Sequence, residues 1–177
     1  MSDQTHKVVV MAHCHLNSNT KVRGLACYSG ARLEVVLPYL QQQYGIVQLP
    51  CPEATFLGMK RWGMTREQFD TPAYRRHCET LLGPVIDTLR ALAEDACSVE
   101  CVVGVDGSPS CGVNRTCVGY EGGEVEDLAR NGSLPSARLT SGYGIFMEIL
   151  RERLVQAGLK VEFGGVDEGA PASAGGR

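Results

Sequence analysis

Three cysteines stand out because each follows a run of residues suited to a buried strand. Cys14 leaves Lys7-Val8-Val9-Val10-Met11-Ala12 through the polar turn His13-Cys14-His15-Leu16-Asn17. Cys51 lies between two prolines in Pro50-Cys51-Pro52-Glu53, and Cys111 sits in Gly107-Ser108-Pro109-Ser110-Cys111-Gly112. The thiolate is the form of cysteine that binds metal and attacks electrophiles, so three thiols brought to one point would form a soft donor set for a thiophilic metal. The flanking prolines stiffen the backbone at Cys51 and keep it out of a helix interior. The small residues of the 107–112 loop leave its amide groups able to point inward, a nest that favours an anion or the sulfur of a cluster.

The chain has eight cysteines. In a reducing compartment that number fits metal or redox chemistry better than disulfides, although a free cysteine is also a small buried hydrophobe. Cys78 falls on an apolar helical stripe and reads as core. Cys101 lies within a strand, roughly 15 Å from its end at about 3.3 Å per residue, so neither Cys97 nor Cys101 reaches the strand-end point. Cys27 and Cys117 are read in loops flanking it, as ligands, redox partners or neither. Structural zinc is disfavoured, since there is no Cys-x-x-Cys knuckle and no spaced histidine pair. His13 and His15, read on an extended segment, point to opposite sides and are expected to be solvent-facing or hydrogen-bonded loop residues. Neither G-x-G-x-x-G nor G-x-x-x-x-G-K-[ST] follows any strand.

The positioning elements alternate. Strands are expected at 7–12, 45–50, 99–105 and 159–163. Leu33, Val36, Leu37, Leu40 and Tyr44 recur at helical spacing, with Pro38 expected to kink that helix or delay its start. Thr71-Pro72 reads as an N-cap and first turn of a second helix, with a break possible at Gly83-Pro84. Another helix is expected to begin near Ser141 and stop at Gly158. The polar, Gly-rich stretch 113–138 reads as a long functional loop with a short helix at 124–130. Strands alternating with helices imply an α/β fold, a small Rossmann-like three-layer sandwich with a mainly parallel sheet. In such sheets ligands bind beyond the carboxyl ends of the strands, where all three cysteines fall. One domain over residues 1–164 and a flexible tail over 165–177 are expected.

Net charge of −3 argues against a general nucleic-acid binder. No apolar run approaches a membrane span, and the N-terminal segment lacks the features of a signal peptide. A cytoplasmic protein is expected, as a monomer or a homodimer.

The motifs Ala12-His13-Cys14…Leu16-Asn17, Pro50-Cys51-Pro52-Glu53 and Gly107-Ser108-Pro109-Ser110-Cys111-Gly112, in that order, resemble the thiouracil desulfidase (TudS) family. The resemblance implies a 4Fe–4S cluster held by Cys14, Cys51 and Cys111, whose fourth iron is open to take sulfur from a small thiolated substrate such as a thiouracil-like base or a thioamide. Glu53 matches the family's proton-handling glutamate, and Ser108 and Ser110 match its serine-rich loop beside the cluster. Arg61 matches an arginine following the second motif. Asn17 stands where better-known members have Gly, and Cys27-Tyr28-Ser29-Gly30 stands where they have Arg-Tyr-Asp-Gly. These departures leave the substrate open. The other functional classes are a cluster-bearing redox or sulfur-carrier module, and a metal-free thiol enzyme using Cys51.

Overall fold

The computed structural model describes residues 6–130 and 137–167. The chain runs β1 (Lys7–Met11), α1 (His13–Leu16), a 3₁₀ turn (Ser18–Thr20), α2 (Leu33–Gln41), β2 (Gly45–Gln48), α3 (Pro52–Leu57) and α4 (Arg66–Phe69). It continues through α5 (Pro72–Glu94), β3 (Ser98–Asp106), β4 (Arg115–Val118), α6 (Val125–Arg130), β5 (Arg138–Ser141), α7 (Ile145–Gln156) and β6 (Glu162–Asp167). Four strands form one sheet in the order β2-β1-β3-β6, every pairing parallel. The order reverses between β1 and β3, which opens a crevice at their carboxyl ends.

Side chains alternate along each strand, and this gives the sheet two apolar faces. Val10 and Val102 pack on Tyr74, Leu82 and Leu89 of α5 and on Phe146 and Leu150 of α7. On the other face Val9, Met11 and Val103 meet Val36 of α2. Val9, Val10 and Met11 are fully buried, as a parallel strand covered on both faces requires.

Several expectations change. α2 starts at Leu33 despite Pro38, and α5 runs unbroken for 23 residues through Gly83-Pro84. Both prolines sit on the exposed side, where water reaches the carbonyls their missing amides leave unpaired, while buried Val36, Leu82 and Ile86 anchor the opposite faces. The last strand is Glu162–Asp167, not 159–163. The apolar pattern ends at Phe163, but pairing with β3 continues through Gly164 and Gly165 to Asp106↔Asp167. The folded unit therefore extends past residue 164, and 168–177 lie outside the described residues. The stretch 113–138 is not a bare loop: β4 pairs antiparallel with β5, with α6 between them, and 131–136 lie outside the described residues. Since Ser141 closes β5, α7 starts four residues later than expected.

Candidate functional site

Cys14 is carried by one helical turn, not by an extended segment, so His13 and His15 do not simply oppose each other. Both brace the turn between neighbouring strands. His13 Nδ1 donates to Leu49 O at 3.2 Å, just past β2, and His15 Nε2 donates to Gly104 O of β3 at 3.0 Å. His15 is fully buried, so of the two expectations for it the hydrogen-bonded one holds. Tyr28 Oη donates to Cys14 O at 3.0 Å, so the departed Cys27-Tyr28-Ser29-Gly30 motif still anchors the first cysteine.

Cys51 is the N-cap of α3, with Pro52 at the first helical position. Its Sγ accepts from Ala54 N at 3.5 Å. Burial raises the thiol above its ordinary range, opposed by the Ala54 amide and the Thr20 hydroxyl.

The Cys111 loop is held on three sides by hydrogen bonds to its backbone. Ser108 Oγ accepts from Ser110 N at 3.2 Å and Cys111 N at 2.9 Å. The expected nest amides are thus already used inside the loop. Buried Asp106 accepts from Val113 N at 3.1 Å and from Asn114 N at 2.8 Å and Asn114 Nδ2 at 2.9 Å. α7 has no side-chain cap. Its opening amides are satisfied instead by the loop: Ile145 N donates to Pro109 O, Phe146 N to Ser110 O and Gly144 N to Gly112 O, each at 3.0 Å.

That docking leaves no room for a side chain at Gly144. A Cβ there would stand 2.5 Å from Ser110 C, whereas one at Gly164 meets nothing within 4 Å. Gly144→Ala is expected to cost at least about 1–3 kcal/mol in urea unfolding, the usual range for overpacking, with Gly164→Ala as the mild comparison. Equal unfolding midpoints for the two variants would mean that the loop is not wedged against α7.

The three cysteines line one cavity of about 360 Å³ together with Glu53 and Ser108. Burial comes first in pushing the Cys111 thiol well above its ordinary range, followed by the negative charges of Cys14, Cys51 and Glu53. Glu53, in the first turn of α3, receives Arg61 Nε at 3.4 Å. The other Arg61 nitrogens donate to Gly58 O at 3.1 Å and Thr20 O at 2.7 Å. Ser110 takes a different place from Ser108. It is fully buried, absent from the cavity wall, and its hydroxyl lies 2.8 Å from Tyr74 Oη.

Of the remaining cysteines, Cys27 is exposed and outside the cavity, and Cys101 lies 3.6 Å from Tyr39 Oη on the α2 side of the sheet. Core Cys78 is pushed up to about 12 by burial. Cys117 is in β4 and not in a loop; it lines the cavity, donates to Met64 O at 3.5 Å, and burial pushes it up to about 11. Lys21, Met64 and Thr65 also contribute to the wall and carry no motif that marks them in the sequence. Among the described residues, no three His, Cys, Asp or Glu side chains enclose a single metal ion. No helix there is long and apolar enough to cross a membrane.

Fold and site together define an α/β protein with a thiol-lined cavity beyond the carboxyl ends of a parallel sheet. Residues 6–122 match the family described as "Putative 2-thiouracil desulfurase", and the chain belongs to that family. It is 39% identical over 107 residues to "Uncharacterized protein MJ0003" of Methanocaldococcus jannaschii, across 60% of this chain and 68% of that protein. It is similar to the 4Fe-4S-dependent thiouracil desulfidase TudS over 90% of this chain and 91% of that one, with a TM-score of 0.47 and 20% identity.

Proposed function

We propose that the protein is a desulfidase that removes sulfur from a small thiolated molecule, a thiouracil-like base or a thioamide, using a 4Fe–4S cluster held by Cys14, Cys51 and Cys111. The observation that carries this reading is one cavity wall shared by three thiols from three strand ends, a carboxylate and a hydroxyl. The donor set fits the group: three thiols on one cavity wall are the soft donors that an iron–sulfur cluster takes. When bound, the cluster supplies a thiophilic iron that polarises the C=S bond.

The chain's own residues handle the protons. The net reaction is C=S plus water giving C=O plus hydrogen sulfide, with no oxidant. Glu53 takes a proton from the attacking water and returns one to the departing sulfide, and Arg61 holds one carboxylate oxygen and thereby its orientation. Ser108 Oγ has both lone pairs engaged by the Ser110 and Cys111 amides, so its own O–H is left to donate into the cavity. Ser110 acts from beneath, fixing the loop through Tyr74. The cytoplasm, where thiols remain reduced, suits this chemistry.

Anaerobic purification with iron and acid-labile sulfide analysis, followed by 2-thiouracil, tests the reading. The expected result is a brown, iron-loaded protein that releases sulfide and forms uracil. Iron-free protein would sink the cluster, and loaded protein that releases no sulfide would point to the carrier or redox class.

A further inference from the structure

α2 is apolar on more than the side that meets the sheet. Val36 is buried against β1 and β3, but Leu33, Leu37 and Leu40 remain 56%, 42% and 50% exposed. At 3.6 residues per turn these leucines fall within roughly 60° of arc, so they form one stripe along the helix. Val35, Pro38, Tyr39 and Gln42 occupy the other flank, bordering a groove with Val103 of β3 and Val166 of β6. The leucine stripe therefore points the opposite way, toward β2 and the rim of the sheet. Among the described residues β2 pairs with β1 alone, which leaves its outer edge without a strand partner.

Sheet edges are ordinarily guarded by charge. Here that guard is missing. No Asp, Glu, Lys or Arg occurs between Glu34 and Glu53, the longest such run in the chain, although 21% of all residues are charged. The run contains Leu37, Leu40 and the whole of β2. Glu34 itself is held by Arg32 at 2.7 Å. Charged residues are depleted at the cores of protein interfaces, and two copies of a chain with net charge −3 repel least where neither carries charge. A second copy also supplies the missing strand. We infer that the chain forms a two-fold homodimer through the leucine stripe of α2 and the outer edge of β2. A two-fold axis beside β2 pairs the two edges antiparallel and joins two four-stranded sheets into one. It also sets the α2 helices side by side, with Leu33 of each copy facing Leu40 of the other and Leu37 near the axis. None of these residues lines the thiol cavity, so the inference stands apart from the desulfidase reading.

Sedimentation velocity on the full-length, anaerobically purified protein tests it. Twice the mass of one chain is expected at about 100 μM, above the micromolar dissociation constants of modest interfaces. Leu37→Glu places two carboxylates across the axis and should weaken association at least about tenfold, as like charges facing each other in an interface do. Leu40→Glu provides the same comparison if the first variant does not fold, with melting temperature as the control. Mixing Leu37→Glu with Leu37→Lys should restore the dimer. Val155→Glu, at a more exposed site on α7, should leave the mass unchanged. Raised salt should not dissociate a contact that holds no ion pair. Amides of residues 45–48 should exchange more slowly in concentrated than in dilute protein, because the second copy covers them. A wild type that stays monomeric, a dimer that survives both leucine substitutions, or no recovery in the mixture would overturn the inference. So would a dimer broken by Val155→Glu or by salt, or exchange at 45–48 that ignores concentration.

Discussion

Cys111→Ser should fold and yet purify without iron. The loop that carries Cys111 is held by Ser108 Oγ, by Asp106 and by the opening amides of α7. None of these bonds uses the Cys111 sulfur. A hydroxyl therefore fits the same backbone, while a poor donor to soft iron replaces a good one. Cys14→Ser and Cys51→Ser should behave alike, with Cys51→Ser keeping an N-cap because serine caps helices well. Cys78→Ser and Cys97→Ser should retain wild-type iron, since Cys78 belongs to the core beneath α5 and Cys97 lies before β3. The measurement is iron and labile sulfide per chain after anaerobic purification, beside the melting temperature of the metal-free proteins. Iron loss in Cys97→Ser as complete as in Cys51→Ser would defeat the assignment of ligands.

Glu53→Gln should lower turnover of a thiolated substrate by about 10²-fold or more, the range for removal of a general acid–base group, with iron content unchanged. The carboxamide oxygen still accepts from Arg61, so the side chain keeps its place beside Cys51 while losing the ability to carry the proton. The Glu53–Arg61 pair is largely shielded, with side chains 16% and 5% exposed. Loss of its charge should also cost stability, on the order of 1 kcal/mol. Structure thus adds a modest fall in melting temperature to what the Pro-Cys-Pro-Glu motif implies. Normal turnover with a lowered melting temperature would assign Glu53 to holding Arg61 and the Thr20 turn, and would move the proton donor to Ser108.

The sequence by itself determined the alternating α/β order, because β-branched runs and amphipathic stripes differ in period, and those periods survive folding wherever a face is buried. It also determined that Cys14, Cys51 and Cys111 each follow a strand, which in a parallel sheet sends them to one edge. Less was legible where side chains give no signal. Gly164 and Gly165 extend β6 by backbone pairing alone. The β4–β5 pair forms from short segments that mix polar residues with Cys117, Val118 and Leu139 in no strand-like alternation, and with it Cys117 reaches the cavity wall. Local patterns could not separate Ser108 from Ser110, two residues apart in one motif. Only the packing of Tyr74 from α5, 36 positions away, turns Ser110 into the core and leaves Ser108 at the cavity. Likewise His13 and His15 read as loop residues until Leu49, just past β2, and Gly104 of β3 supply the carbonyls they clamp, because those partners are set by which strands lie side by side and not by neighbours in sequence.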